Sequence, residues 1–335
     1  MLRRRRELGL EGVYRGTPEP PLKVVLCGGS GHVGALLLRH FSLAAHELVV
    51  LSRSPNPLPA ARTVGWDGKN LGPWASELDG ADVVVNLAGR SVNCRYTSDN
   101  FRQMKDSRVD STRVVGAAIR RALNPPRVWL QASTATIYAH RFDAANDEES
   151  GIIGGGESGV PPKWNGSIEI AKAWEAALFE AETPSTRKVA MRSAMTMSPD
   201  SGSVFDVLRK LARLGLGGTL GSGKQYVSWV HGYDFAQAVD FLIAREDLDG
   251  PINICSPNPL PQSEFMKVLR DAVKAPFGLP ASPWMVEIGT FLARTESELV
   301  LKSRRVIPTR LVRAGFEFRF PQWKDACRDL AGAGA

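Results

Sequence analysis

Glycines at 28, 31 and 34 close the segment LKVVLCGGSGHVG (residues 22–34), a spacing suited to holding a phosphate. The apolar run Val24–Leu26 reads as a buried strand, and Val33 with Leu36–Leu38 as the start of a helix, so the glycines fall in a strand-to-helix turn. Backbone can approach a pyrophosphate closely at such a turn, and the helix start aims free N–H groups at it. Ser30, His32 and Val33 complete the lining. The expected ligand is a dinucleotide. The plainer alternative is a glycine-rich turn that binds nothing, and the agreement of strand, glycines and helix argues against it.

A second group sits at the end of the next apolar run, Glu47–Leu51, which closes on Ser52-Arg53. The residue there meets the adenosine ribose. An acid would accept from a free 2′-hydroxyl and favour NAD, whereas an arginine pairs with a 2′-phosphate. This chain has no acid before Asp67, and a hydroxyl beside a guanidinium suits a phosphate monoester. The reading favours NADP(H); the alternative is an ordinary solvated Arg53. Asn86-Leu87-Ala88-Gly89 ends the run Ala81–Leu87, and its small residues let backbone pack on adenosine and ribose, unless they only end a strand. Asp67, in Trp66-Asp67-Gly68, is a candidate acceptor for the adenine amino group or a plain turn residue.

The elements that must position these groups alternate. Strands are expected over Lys23–Cys27, Glu47–Leu51, Ala81–Leu87, Val128–Ala132 and Lys188–Met191. Helices are expected over residues 32–43, 71–78, 100–122, 168–182, 235–243 and 262–273. Alternation with short joins implies an α/β, Rossmann-type doubly wound parallel sheet. Residues 22–195 form the NADP-binding Rossmann domain in this reading. Residues 196–330 are mainly a smaller C-terminal substrate lobe, with some segments returning to the Rossmann domain. Residues 1–21 are a flexible basic tail.

Composition narrows the class. The chain has 335 residues, 43% of them apolar, enough for a large core. A net charge of +7 is partly local, because Arg3–Arg6 are consecutive and the other charges are scattered, so nucleic acid is not the expected partner. Cys27, Cys94, Cys255 and Cys327 lie far apart with no metal-ligand spacing, which points to reduced thiols, no metal and a cytoplasmic location. No apolar stretch suits a signal peptide or a bilayer span, so no membrane is expected.

The glycine pattern G-x-x-G-x-x-G, followed by N-x-A-G at Asn86–Gly89, resembles the short-chain dehydrogenase/reductases, with Cys27 where a threonine is usual. Ala132–Ala139 (ASTATIYA) is similar to the S-S-A-T-x-Y-G of their extended branch. That resemblance places Thr134 as the hydroxyl that binds the substrate oxygen, with Tyr138 a turn further on. Ser107-Arg108-Val109, Gly221–Tyr226 and Arg305–Pro308 before Ala314-Gly315-Phe316 narrow it to an atypical subgroup of the epimerase family, over about Lys23–Leu330. Such proteins are expected to have the Rossmann fold and to bind NADP, with a small-molecule substrate generally unassigned. They often dimerise through a helix pair, for which Asn100–Ala122 is the homodimer candidate.

Two departures bear on the chemistry. The superfamily takes its proton from a Tyr four residues before a Lys on the helix after this strand, and the Lys also binds the nicotinamide ribose. Counting back from Lys172 gives Ile168; a register set by Glu175 gives Ser167 and Ala171. Neither supplies a tyrosine, so Tyr138 or Lys172 is left as the proton donor, or the chain binds NADP(H) as a silent sensor or regulator. Sugar-nucleotide epimerases carry Arg-Asp before an aromatic-Ile-His segment. Here Val227-Ser228 precede Trp229-Val230-His231, which argues against a sugar nucleotide. Asp234 is expected to cap the following helix and His231 to be structural.

Overall fold

The computed structural model describes residues 21–44, 46–292 and 296–333, so all but one residue of the expected basic tail lie outside the described residues. Its strands are β1 (Lys23–Cys27), β2 (Glu47–Ser52), β3 (Arg62–Gly65), β4 (Val83–Asn86), β5 (Val128–Thr134), β6 (Arg187–Ser193), β7 (Met195–Met197), β8 (Tyr226–Val227), β9 (Trp229–His231), β10 (Gly250–Ile254) and β11 (Leu260–Pro261). Its helices are α1 (His32–Phe41), α2 (Ser98–Arg121), α3 (Asn165–Phe179), α4 (Val204–Arg213), α5 (Gly232–Ala244), α6 (Gln262–Ala272), α7 (Pro283–Leu292), α8 (Glu298–Leu301), α9 (Thr309–Arg313) and α10 (Trp323–Gly332).

Seven strands form one sheet in the order β10-β6-β5-β4-β1-β2-β3, and every pairing in it is parallel. Strands buried on both faces need apolar side chains on both. In β1, Val24 and Leu26 face the layer of α1 and α5, with Leu37, Phe41, Phe235 and Leu242. Val25 and Cys27 face the opposite layer, where Val115, Ile119 and Leu178 of α2 and α3 pack. The chain is therefore an α/β Rossmann-type protein. Its strand order reverses between β1 and β4, so the carboxyl ends of those strands open a crevice at the switch point.

A separate core closes the C-terminal lobe: Phe205, Trp229, Phe265, Leu269, Trp323 and Leu330, with the rings of Phe265 and Trp323 stacked 4.1 Å apart. The short ladders β7·β9 and β8·β11 join this lobe together, while β10 returns to the edge of the main sheet. The stretch expected as a helix over 71–78 is a 3₁₀ segment, Pro73–Leu78, and β3, too short and half-exposed to show a period, has no counterpart in the sequence reading. His231 rather than Asp234 caps α5, its Nδ1 accepting from the Tyr233 N–H at 3.1 Å. Asp234 instead accepts the Arg319 and Phe320 N–H groups, tying the C-terminal segment to α5. No helix among the described residues is long and apolar enough to cross a membrane.

Candidate active site

The three glycines of the β1–α1 turn have three different surroundings. Gly28 has φ +74°, and a Cβ on it would lie 2.8 Å from the Ala88 Cα, so only glycine permits this turn against the loop after β4. Gly34 supports the back of the turn: a Cβ there would lie 2.1 Å from the Gly29 carbonyl oxygen. Gly31 faces open space, with nothing within 4 Å of a Cβ built on it. It is also the N-cap of α1, and no side chain caps that helix. Uncapped N–H groups of the first turn beside an open glycine form a cradle for a diphosphate.

The remaining cofactor candidates surround this turn. Gly28 N–H donates to the Leu51 carbonyl and Leu87 N–H to the Cys27 carbonyl, each at 2.8 Å, which locks β1, β2 and β4 at their carboxyl ends. Ser52 Oγ lies 3.4 Å from the Oγ of exposed Ser30. Arg53 is exposed at the end of β2, and among the described residues it makes no hydrogen bond or ion pair. Asn86 is fully buried; its Nδ2 donates to Gln131 at 3.0 Å and its Oδ1 accepts the Ala88 N–H at 3.1 Å. That clamp sets the path of Leu87, Ala88 and Gly89, and the exposed Gly89 lies against the Arg108 guanidinium. Val33 packs on the core beneath α1, and His32 Nε2 lies 3.3 Å from Ser198 Oγ, with burial lowering its pKa. Asp67 is committed to its own loop: Oδ1 accepts the Lys69 and Asn70 N–H groups, which pull its carboxyl down to about 2.

At the end of β5, Thr134 is half-buried and its Oγ1 accepts the Thr136 N–H at 3.1 Å, leaving its own hydrogen to donate. Tyr138 and Lys172 make their own contacts with other side chains. Tyr138 is 2% exposed; its hydroxyl donates to Asn253 Oδ1 and accepts from Arg192, each at 2.9 Å. Burial pushes that hydroxyl up to about 12, far from the range of an efficient proton donor. Lys172 Nζ is 3.0 Å from Glu169, beside Gly155, and Ile168 is buried against Gly154 and Gly155.

The face of α3 that meets β5 carries a different set. Ser133 Oγ donates to Glu175 Oε1 at 2.6 Å, and Arg192 closes a two-pronged pair on the same carboxylate at 2.8 and 2.7 Å. Ala171, one turn back, packs with Ala135 and Ile137. Ser167, a further turn back, lies on that face and is half-buried. The register set by Glu175 is the one that meets β5, through Ser133, and its two earlier positions are Ala171 and Ser167. Ser167 also meets Glu298 of the C-terminal lobe, 131 residues away along the chain with no local pattern to announce it, and Lys302 and Arg304 gather around that carboxylate.

Comparisons with known proteins bear on the family and the fold. Residues 24–255 match the NAD dependent epimerase/dehydratase family, and residues 282–330 match a domain of unknown function, DUF1731. The chain is 30% identical over 299 residues to epimerase family protein Mb2239 of Mycobacterium bovis, covering 88% of this chain and 93% of that one. A crystal structure of human epimerase family protein SDR39U1 with NADPH superposes with TM-score 0.80 at 26% identity, covering 92% of this chain and 99% of the other. A nucleoside-diphosphate sugar epimerase from Corynebacterium glutamicum gives TM-score 0.73 at 26% identity, over 94% of this chain and 59% of that one. With its parallel seven-stranded sheet and its glycine turn opening on the switch-point crevice, the chain belongs to the NAD dependent epimerase/dehydratase family.

Proposed function

We propose that the chain is an NADP(H)-dependent oxidoreductase or epimerase acting on a small substrate. The observation that carries the cofactor half is the open, uncapped turn at Gly31, which fits a diphosphate. The similarity to a protein crystallised with NADPH supports the same reading. Ser52 and the exposed Arg53 at the end of β2 suit the 2′-phosphate. Bound there, the coenzyme supplies or accepts hydride. Thr134 holds the substrate oxygen by donating a hydrogen bond to it. Four free thiols among the described residues, three of them buried, support a reducing, cytoplasmic setting.

Arg53→Ala is expected to weaken NADPH about 10- to 100-fold, the worth of a lost charge-assisted hydrogen bond, and to leave NADH within about twofold. Parallel titrations with both coenzymes measure this; equal losses would show that Arg53 does not read the phosphate.

A second reading, a coenzyme-binding protein without turnover, is favoured by one observation: Ile168 and Ser167 fill the two positions open to a catalytic tyrosine, and the Tyr138 hydroxyl is sealed in the core. Steady-state NADPH oxidation with a panel of carbonyls separates the two. Under the enzyme reading Thr134→Ala lowers turnover at least about 100-fold, with NADPH affinity unchanged. Turnover that survives this substitution would remove Thr134 from the reaction.

A further inference from the structure

Ser167 is held from two sides. Its Oγ lies 2.5 Å from Glu298 Oε1 and 3.0 Å from the Trp164 carbonyl. Glu298 comes from the C-terminal lobe and is 1% exposed, and its second oxygen, Oε2, is buried without a hydrogen-bond partner among the described residues. One turn on, the fully buried Lys302 places Nζ 3.6 Å from Glu298 Oε1 and donates to the Thr136 carbonyl at 2.9 Å. Arg304 Nε donates to Thr136 Oγ1 at 3.1 Å. Thr136 is the residue whose N–H holds Thr134, so segment 298–304 bridges Ser167 and the turn that carries Thr134.

We propose that Ser167, backed by Glu298 and positioned by Lys302, carries the proton of the reaction in the place of the missing tyrosine. The proposal rests on the oxidoreductase reading above and names the acid–base group of that site.

The hydroxyl of Ser167 has one hydrogen and two acceptors already in place. With Glu298 ionised, Ser167 donates to Oε1, and the 2.5 Å separation is that of a charge-assisted bond. With Glu298 protonated, the carboxyl donates to Ser167 Oγ and the serine hydrogen turns to the Trp164 carbonyl. Both protonation states keep the Ser167–Glu298 bond with no backbone movement, as a proton store requires. When an alcohol is oxidised, its O–H proton passes to Ser167 Oγ as the serine hydrogen passes to Glu298. Its C–H bond breaks to give hydride to an oxidised nicotinamide, and the C=O bond forms. Reduction runs the same transfers backwards. Lys302 balances the carboxylate charge. It faces Glu298 and Arg304 from its own segment and Glu157 and His140 from the loops before α3, and burial brings its ammonium down to about 8.

One test does not depend on turnover. The side-chain ¹⁵N signal of Lys302, identified by its loss in Lys302→Met, is titrated by NMR in the NADP⁺ and NADPH complexes. The two coenzymes differ by one positive charge on the nicotinamide ring. If the ring lies over Ser167, Lys302 titrates lower with NADP⁺ by about one pH unit, the size expected of a unit charge some 10 Å away at an effective dielectric of about 20. A parallel assay follows NADPH oxidation with 9,10-phenanthrenequinone as the probe carbonyl. Ser167→Ala and Glu298→Gln should each cost at least about 100-fold in kcat with NADPH affinity kept, and Ser167→Thr should recover most of the rate. Identical Lys302 titration in the two complexes overturns the proposal, as does full turnover in Ser167→Ala. Should the probe not react with the parent protein, the titration decides. Absence of NADPH binding by the folded parent protein would instead overturn the cofactor reading beneath it.

Discussion

Gly31→Asp is expected to abolish NADPH binding while leaving the fold at least as stable as the parent. The backbone at Gly31, φ −82° and ψ 179°, is extended and open to any residue, and an added Cβ meets nothing within 4 Å. An aspartate at this N-cap accepts the N–H groups at the start of α1, which now have no side-chain partner, and is worth up to about 1 kcal/mol there. Those are the donors a diphosphate would use, and the new carboxylate also repels it. Affinity should therefore fall at least about 100-fold, with the thermal midpoint equal or higher. A destabilised variant would mean that the turn is filled by protein after all. Unchanged affinity in a stable variant would mean that the diphosphate lies elsewhere. Gly34 offers the contrast, because any side chain there collides with the Gly29 carbonyl and must disturb the turn itself.

Arg192→Met carries the second large effect, on stability. The Arg192–Glu175 pair is 8% and 9% exposed and joins four elements. Ser133 of β5 and Arg192 of β6 meet on Glu175 of α3, and Tyr138 links Arg192 to Asn253 of β10. Removing the guanidinium strands a buried carboxylate, which typically costs about 3–5 kcal/mol, a large part of the about 5–15 kcal/mol that holds a domain folded. The double variant Arg192→Met/Glu175→Met buries no charge and should be less destabilised than either single variant. Urea denaturation of the four proteins measures the coupling. Additive losses would show that the pair acts as two independent residues.

The parts of this molecule that were legible in its sequence are those set by neighbours along the chain. The β1–α1 turn declared itself because Gly28, Gly31 and Gly34 sit between an apolar run and a helix-period run, and each glycine has a local reason. Buried runs such as Val83–Val85 and Val128–Leu130 gave the central strands for the same cause. Several side chains singled out as site candidates are held by partners within the protein, near and far along the chain. Tyr138 follows Thr134 at the familiar spacing, yet Asn253 and Arg192 draw its hydroxyl inward. Asp67 is taken by Lys69 and Asn70, and Lys172 by Glu169. The contact between Ser167 and Glu298 had no sequence signal at all, because the two residues are 131 apart and meet only when the C-terminal lobe folds over α3.

We propose that the ends of β1, β2 and β4 hold NADPH by its diphosphate and its 2′-phosphate. Calorimetric titration of the nucleotide-stripped, folded protein with NADPH tests it most directly. The expected result is one NADPH site per chain, with NADH bound more weakly by at least about tenfold. A folded protein that takes up neither coenzyme, or that binds NADH as tightly as NADPH, would contradict it.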